Sequence, residues 1–537
     1  MRPTASTAGY KLHCKPIPFL DPEALLKLPS TDPEVTNKLR QVLVWTTDAA
    51  LYECAATDEL EHTSLSVAEH DLQLKRSKIV IQNDPKGTCK PLKRAEHAKE
   101  RFRGLQWPKL ANKLTARHAP VNFTPYHERH SAILKGSWTI DLDWSAFFDQ
   151  FQLSPEVSKY FSFVGKNGIV YSMNVLPMGL KHSVGVAQNA TLQLLNYGPK
   201  SYTEAYVDNV RFVSDDKRQL VEDAVELVAR CITAGVTINE IDTTGLRDMA
   251  PSKRKSTIRA KLQTLVKSKG SWLGEEYDYE NKLVDLADKT KEKVKLCLDA
   301  KRPTFRTFAA AAGVLQYASR TLGIRLGPYF ASVRAIAAVG WLMEQRPDLW
   351  DAKLPPMCPD VYKNLRNWRD TILATKPRRI LREESPDIVI IVDASDEGWG
   401  AISVDELGRI LYDARKWSTA DRRAFNTKHS VRAEPEGIYR ACCRFVRAEH
   451  HRTVHVASDS AAAVGAISKG HSRSYWMNHT VVKLDRTFPR TRFIFAHTPG
   501  ATNPADGISR ELSEPTAADR DMAIKIAEKA RAAHTGG

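Results

Sequence analysis

The six residues Thr139-Ile-Asp-Leu-Asp-Trp144 alternate between apolar and acidic or hydroxyl side chains without a break. Successive side chains of a β-strand point to opposite faces, so Ile140, Leu142 and Trp144 can enter a core while Asp141 and Asp143 share the other face. Downstream, Ala205-Tyr-Val-Asp-Asn-Val210 runs into a second apolar strand at 210–213, which puts Asp208 at a hairpin tip. Phosphoryl transfer asks a protein for carboxylates that hold two divalent ions about 3.5–4 Å apart, and Asp143 and Asp208 are candidates for that work. Paired aspartates at strand ends also serve as caps and turn formers.

The rest of the chain frames this pair. Its 537 residues suffice for two to four domains, and 42% hydrophobic residues can fill ordinary cores. Lys and Arg number 79 against 63 acids, a net charge of +16 that suits a polyanionic partner. The eight cysteines form no Cys-x-x-Cys pair, so neither a zinc site nor a disulfide framework is expected. Residues 1–22 do not resemble a signal peptide, and no run approaches the roughly 20 apolar residues of a membrane span. An intracellular protein of cytoplasm and/or nucleus, with no membrane partner, is expected.

Residues 1–90 carry helix-like stretches at 23–28 and 39–51 and no motif. The stretch 251–270 holds seven Lys or Arg and no acid, suited either to a phosphate backbone or to a solvated loop. From 282 to 350 the spacing of Phe308, Ala312, Leu315 and Leu322 predicts helices. A second α/β unit begins near 386, with strands predicted at 388–392, 409–417, 453–458 and 492–497 and helices at 435–449 and 460–469. The Ala-rich stretch 517–533 is predicted to be an exposed helix. In this second unit Asp393, Glu434, Asp459 and Asp506 each fall at a strand end or helix start, so four acids distant in sequence could converge on metal.

Several segments resemble reverse transcriptases in one order. Asp143-Trp-Ser-Ala-Phe-Phe-Asp-Gln-Phe151 resembles their first aspartate motif, Leu176-Pro-Met-Gly-Leu-Lys-His-Ser183 with Gln188 their Pro-x-Gly…Ser…Gln segment, and Tyr206-Val-Asp-Asn209 their Tyr-x-Asp-Asp box. Ser271-Trp-Leu-Gly274 looks like a primer grip, and the segment through Gly313-Val-Leu-Gln-Tyr-Ala-Ser319 like the connection region of retrotransposon polymerases. The resemblance implies that Asp143 and Asp208 bind metal, that Phe148 is the aromatic gate against ribonucleotides, and that Gly179, Gln188, Arg101 and Arg103 contact substrate. Asp141 is the alternative first ligand; the family register of Asp149, Gln150 and Leu153 favours Asp143. Asn209 departs from the family, whose box has a second aspartate there, and a neutral amide binds Mg²⁺ less strongly than a carboxylate.

The second unit resembles RNase H. Asp393-Ala-Ser-Asp-Glu-Gly-Trp-Gly400, Arg432-Ala-Glu434, Ser458-Asp-Ser460 and Asn503-Pro-Ala-Asp506 match its four acidic motifs in order, with Glu436 competing with Glu434. His497 is a candidate proton shuttle, and Trp399 a core residue rather than a base-stacking one. The implied fold class is α/β and α+β multidomain: a right-hand polymerase followed by an RNase H-like fold. Its parts would be an N-terminal region of open role (1–90), fingers and palm (91–280), thumb or connection (281–385), an RNase H-like domain (386–512) and a helical tail (513–537). The implied activity copies RNA into DNA and degrades the RNA of the hybrid. It uses Mg²⁺, with Mn²⁺ as alternative, and the partners are RNA template, DNA primer, RNA–DNA hybrid and dNTPs. The phrasing leans toward retrotransposons of the tyrosine-recombinase or gypsy-like kind. The alternatives are a decayed or domesticated nucleic-acid-binding copy without catalysis, and a chain that keeps only the nuclease.

Overall fold

Strand β1 (Trp138–Asp143) forms where the alternation requires it, with Ile140 and Leu142 buried. It belongs to a computed structural model that describes residues 18–53, 112, 121, 123–164, 170–300, 303–382, 384–425, 429–447 and 449–535. The chain divides into two units, Met1–Gly270 with Asp278–Lys282, and Ser271–Tyr277 with Leu283–Gly537.

In the first unit β1, β2 (Tyr202–Tyr206) and β3 (Asn209–Ser214) make an antiparallel sheet in the order β1-β3-β2. Cross-strand pairs run from Trp138 opposite Ser214 to Asp143 opposite Asn209. The face bearing Ile140, Leu142, Val210 and Phe212 packs on apolar side chains of two long helices.

Residues 18–53 are an integral layer of this core, which their lack of motif did not foretell. Two Asp-Pro pairs start helices α1 (Pro22–Leu26) and α2 (Pro33–Thr47): Asp21 and Asp32 accept backbone N–H bonds as N-caps, and proline occupies the first helical turn, where its missing N–H costs nothing. Leu20, Leu25, Leu39 and Tyr52 join the buried cluster. Each fully buried large apolar side chain is worth roughly 1.5–3 kcal/mol. The two long helices are α3 (Ser183–Leu195) and α4 (Lys217–Ala234), the latter ended by Gly235 at φ +77. Glycine is required there: a Cβ would lie 3.3 Å from the Phe19 carbonyl oxygen, and the φ itself disfavours other residues.

The basic stretch 251–270 is neither loop nor free strand over most of its length. It opens as helix α5 (Pro251–Gln263), which packs on α4 through Ile258 and Leu262 and pairs Arg259 with Glu222 at 2.6 Å. On the acid-bearing face of the sheet, Arg211 is fully buried and bonds Glu204, whose other oxygen takes Arg129 Nε at 3.0 Å. Removing one member of such a buried network typically costs about 3–5 kcal/mol, because a charge is left unpaired.

Beyond the strand Leu283–Leu286 the second unit continues as a helical cluster, α6 (Asp288–Leu296), α7 (Phe305–Leu322), α8 (Phe330–Gln345) and α9 (Pro359–Ala374). Trp368 is its centre, stacked on Tyr329 and donating its indole N–H to Ser319 Oγ at 2.6 Å. A five-stranded sheet follows, made of β4 (Ile388–Ala394), β5 (Gly398–Asp405), β6 (Ile410–Lys416), β7 (Thr453–Ser458) and β8 (Arg492–His497), in the order β6-β5-β4-β7-β8. The first three strands are antiparallel, and β7 and β8 run parallel to β4. β4 is buried on both faces, which explains its unbroken run of Ile and Val.

Helix α10 (Ser430–Phe445) begins a turn before the predicted start, so Pro435 lies inside it rather than in its first turn. The carbonyl of Val431 loses the N–H that a different residue at 435 would donate. Helices α11 (Ala461–Lys469), α12 (Tyr475–Thr487) and α13 (Asp506–Glu511) complete that region. The final helix, α14 (Ala517–Thr535), is not the exposed tail expected from its charge. Ala523, Ala527 and Ala530 bury against β4 and β5 residues Val389, Ile391, Ile402 and Val404, while Asp521, Lys525, Glu528 and Lys529 meet solvent. Alanine lets a helix approach a sheet closely while leaving charged positions outside.

Candidate functional site

Asp143 ends β1 and Asp208 occupies the β2–β3 turn, where Val207 has φ +56. The two are drawn together by the backbone: Trp144 N–H donates to the Asp208 carbonyl at 2.8 Å. Under the turn, Gln188 Oε1 accepts from Val207 N–H at 2.6 Å and its Nε2 donates to the Ala205 carbonyl at 3.3 Å. Thr191 Oγ1 donates to the Val207 carbonyl and itself accepts the Trp144 indole N–H. The hairpin tip is therefore pinned from α3. Asn209 Nδ2 donates to Asp208 Oδ1 at 2.9 Å.

Asp141 shares the face, as the alternation predicts, but sits one pair deeper, opposite Arg211, and is bound by Lys267 Nζ at 2.8 Å. Asp143 is the aspartate beside the turn. Two residues that sequence reasoning missed border it: Asn239 Nδ2 donates to Asp143 Oδ2 at 2.8 Å, and Glu240 Oε2 accepts the Asp143 N–H at 3.0 Å. Burial raises the Glu240 carboxyl above its ordinary range, with Asp141 adding to the effect and the Asp143 N–H opposing it. An oxygen-only donor set at two adjacent strand ends is of the kind that hard divalent cations take.

In the second unit the carboxylates of Asp393, Glu434 and Asp459 each place an oxygen within 4.8 Å of the others. Asp393 comes from β4, Glu434 from α10 and Asp459 from the end of β7, so the parallel pairing of β4 with β7 aligns two of the acids. Glu434 Oε2 and Asp459 Oδ1 are buried with no hydrogen-bond partner, a costly arrangement that a bound cation would relieve. Burial, reinforced by the neighbouring acids, pushes Glu434 up to about 9; Asp393 rises to about 6, again chiefly through burial, although Ser509 Oγ bonds it. Glu436 faces away from the three acids and is held by Arg440 and Lys483.

Asp506 stands at the start of α13, close enough to raise both buried acids, while Arg510 Nε donates to it at 2.9 Å. Buried Asn503 ties that segment to β4 through the Val392 carbonyl. His497 is exposed, its Nε2 3.1 Å from the Asp459 carbonyl oxygen. Trp399 is buried in the core, as expected.

Comparison with known families adds a decisive observation for the first unit. Residues 60–274, which contain both Asp143 and Asp208, match the family described as reverse transcriptase (RNA-dependent DNA polymerase). This segment is a reverse transcriptase domain. No curated protein matches the sequence. Among solved structures, a foamy viral protease-reverse transcriptase (dRH) in complex with double-stranded DNA is similar at 14% identity and TM-score 0.42, covering 81% of this chain and 70% of that one. The foamy viral protease-reverse transcriptase in complex with double-stranded DNA and with an RNA/DNA hybrid is similar at 14% identity and TM-score 0.38 in both cases. Each covers 73% of this chain, and they cover 74% and 48% of the other chains.

Within the reverse transcriptase domain the remaining expected substrate residues fall in different places. Phe148 is half-buried in the short turn Phe147–Gln150 that follows Ala146 at φ +44, packed against the domain core. Gly179 lies in a turn whose carbonyl accepts from Asn112 Nδ2 at 2.9 Å. Gln188 is 2% exposed, and its amide bonds the hairpin through the Val207 N–H and the Ala205 carbonyl, so it braces the turn that carries Asp208. Arg101 and Arg103 lie outside the described residues. At the expected primer grip, Leu273 and Gly274 form a turn with φ +51 and +92. Tyr317 Oη and Thr290 Oγ1 donate to their carbonyls beside a cavity of about 670 Å³. Among the described residues no helix is long and apolar enough to cross a membrane.

Proposed function

We propose that the chain is an RNA-directed DNA polymerase with RNase H activity, from a retroelement of the tyrosine-recombinase or gypsy-like kind. The observation that carries the polymerase reading is the bond from Trp144 N–H to the Asp208 carbonyl, which joins two carboxylate-bearing strand ends inside a reverse transcriptase domain. Asp143 and Asp208 would hold divalent ions at the primer terminus, and Phe148 would stand against a 2′-hydroxyl. The nuclease reading rests on the three converging acids of the second unit and their unpartnered oxygens, with Asp506 as the fourth member. Mg²⁺, or Mn²⁺, bound at either place would neutralise charge on the phosphodiester and favour the attacking oxygen. The two activities form a sequence, since copying RNA leaves a hybrid whose RNA must be removed before a second DNA strand is made. RNA template, DNA primer, hybrid and dNTPs are the corresponding partners, and the net charge of +16 favours phosphate contacts that weaken with salt.

Primer extension on an RNA template and cleavage of an RNA–DNA hybrid test this reading, alongside Asp208→Ala and Asp459→Ala. Each substitution should abolish one activity and spare the other. A second reading, a nuclease whose polymerase half only binds hybrid, is favoured by Asn209 alone; cleavage without extension by the unaltered chain would establish it. Absence of both activities would leave a non-catalytic nucleic-acid-binding protein.

A further inference from the structure

The segment after α4 is built onto the outer edge of β1, the edge that β3 does not use. Once Gly235 has ended the helix, Ser145 N–H donates to the Thr237 carbonyl at 2.9 Å, Trp144 and Ile238 form an antiparallel bridge, and Asn239 N–H donates to the Asp143 carbonyl at 2.9 Å. Gln150, fully buried, staples the two stretches together. Its Nε2 donates to the Ser145 and Thr237 carbonyls at 2.7 and 3.2 Å, and its Oε1 accepts Thr237 N–H at 2.9 Å. Asn239 and Glu240 are thus carried on a rigid return segment rather than on a free loop.

What they touch is specific. Asp143 is the last residue of β1. Its carbonyl takes the Asn239 N–H, its N–H goes to Glu240 Oε2, and its Oδ2 takes the Asn239 amide at 2.8 Å. Three bonds from two adjacent residues fix both the backbone and the side chain of one aspartate.

We propose that Asn239 and Glu240 are positioning residues that aim the Asp143 carboxylate at a divalent ion. This rests on the polymerase reading above. Groups that orient a metal ligand typically contribute about 10–100-fold to metal affinity or activity without touching the metal. The donor at Asn239 and the acceptor at Glu240 define what each position requires. An alanine at 239 would delete the donor to Asp143, whereas a glutamine at 240 would keep an oxygen for the Asp143 N–H.

The test uses the full chain with Asp393, Glu434 and Asp459 changed to amides, so that Mn²⁺ binding followed by electron paramagnetic resonance reports the polymerase site. Asn239→Ala and Glu240→Ala should weaken Mn²⁺ binding about 10–100-fold and lower kcat for primer extension, with the dNTP KM within about twofold. Glu240→Gln should behave as the parent. Asn239→Leu, an apolar side chain of similar size with no donor, replaces Asn239→Ala should the latter not fold, and thermal melting checks this. Unchanged Mn²⁺ affinity and kcat in a folded Asn239 variant, with a parent that extends primers, overturn the clamp. A parent that neither extends primers nor binds Mn²⁺ overturns the polymerase reading itself.

Discussion

Asn209 donates its side-chain N–H to Asp208 Oδ1 at 2.9 Å, across one peptide unit at the tip of the β2–β3 hairpin. The residue that departs from the family box is therefore a partner of the aspartate it follows. A carboxylate in its place would face Asp208 as a like charge and would need a cation between them.

Asn209→Asp should accordingly lower the melting temperature in EDTA and recover it in millimolar Mg²⁺, while Asn209→Ala should slow primer extension about tenfold, roughly 1.4 kcal/mol. Melting that is indifferent to Mg²⁺ in the Asp variant would mean that the two side chains do not share a site.

Gln188 predicts a different pattern. Its loss in Gln188→Ala strands the buried Val207 N–H, at a cost of about 1–3 kcal/mol in stability. The kinetic effect should fall on kcat, with the dNTP KM little changed, because the side chain reaches the hairpin and not the nucleotide. A KM that rises while melting is unaltered would return Gln188 to substrate binding.

The acids of the second unit predict a dependence on pH. Burial raises Asp393 to about 6 and Glu434 to about 9, from ordinary values of 3.8 and 4.5. The folded, metal-free chain thus keeps protons that the unfolded chain has already released. Their contribution to stability is full below the ordinary values and is lost as pH rises through about 6 and then about 9. Melting in EDTA should fall between pH 5 and pH 9, roughly the window these shifts define, and Mg²⁺ should flatten the decline. Glu434→Gln should remove the upper part of the slope and abolish hybrid cleavage. Glu436→Gln, at a side chain held by Arg440 and Lys483, should do neither.

The closing helix offers a test of packing alone. Ala527→Asp would bury an unpaired charge against the sheet, and should cost about 3 kcal/mol or more and expose the helix to limited proteolysis. Lys525→Glu, on the exposed side, should leave melting unchanged. Equal behaviour of the two variants would show that the alanine face does not dock.

Much of the candidate chemistry was legible in the sequence because it depends on local periodicity. Alternation around Asp141 and Asp143 implied a half-buried strand, the turn at Val207 and Asp208 followed from the strand after it, and strands 453–458 and 492–497 have the predicted limits. The choice between Glu434 and Glu436 is not a matter of local periodicity. They stand two apart on one helix, about 200° around its axis, and only the position of α10 over β4 determines which one faces Asp393.

What the amino-acid order determined by itself, then, was the set of strands and the acids at their ends, since period and capping act over a few residues. Tertiary structure alone decided that residues 18–53 complete the first core, that α14 buries its alanines, that Gln188 braces the hairpin under Asp208, and that Asn239 and Glu240 border Asp143. Each of these joins positions tens to hundreds of residues apart. A polar or small side chain suits solvent or a close contact equally well until a neighbour arrives, and only the folded chain brings one.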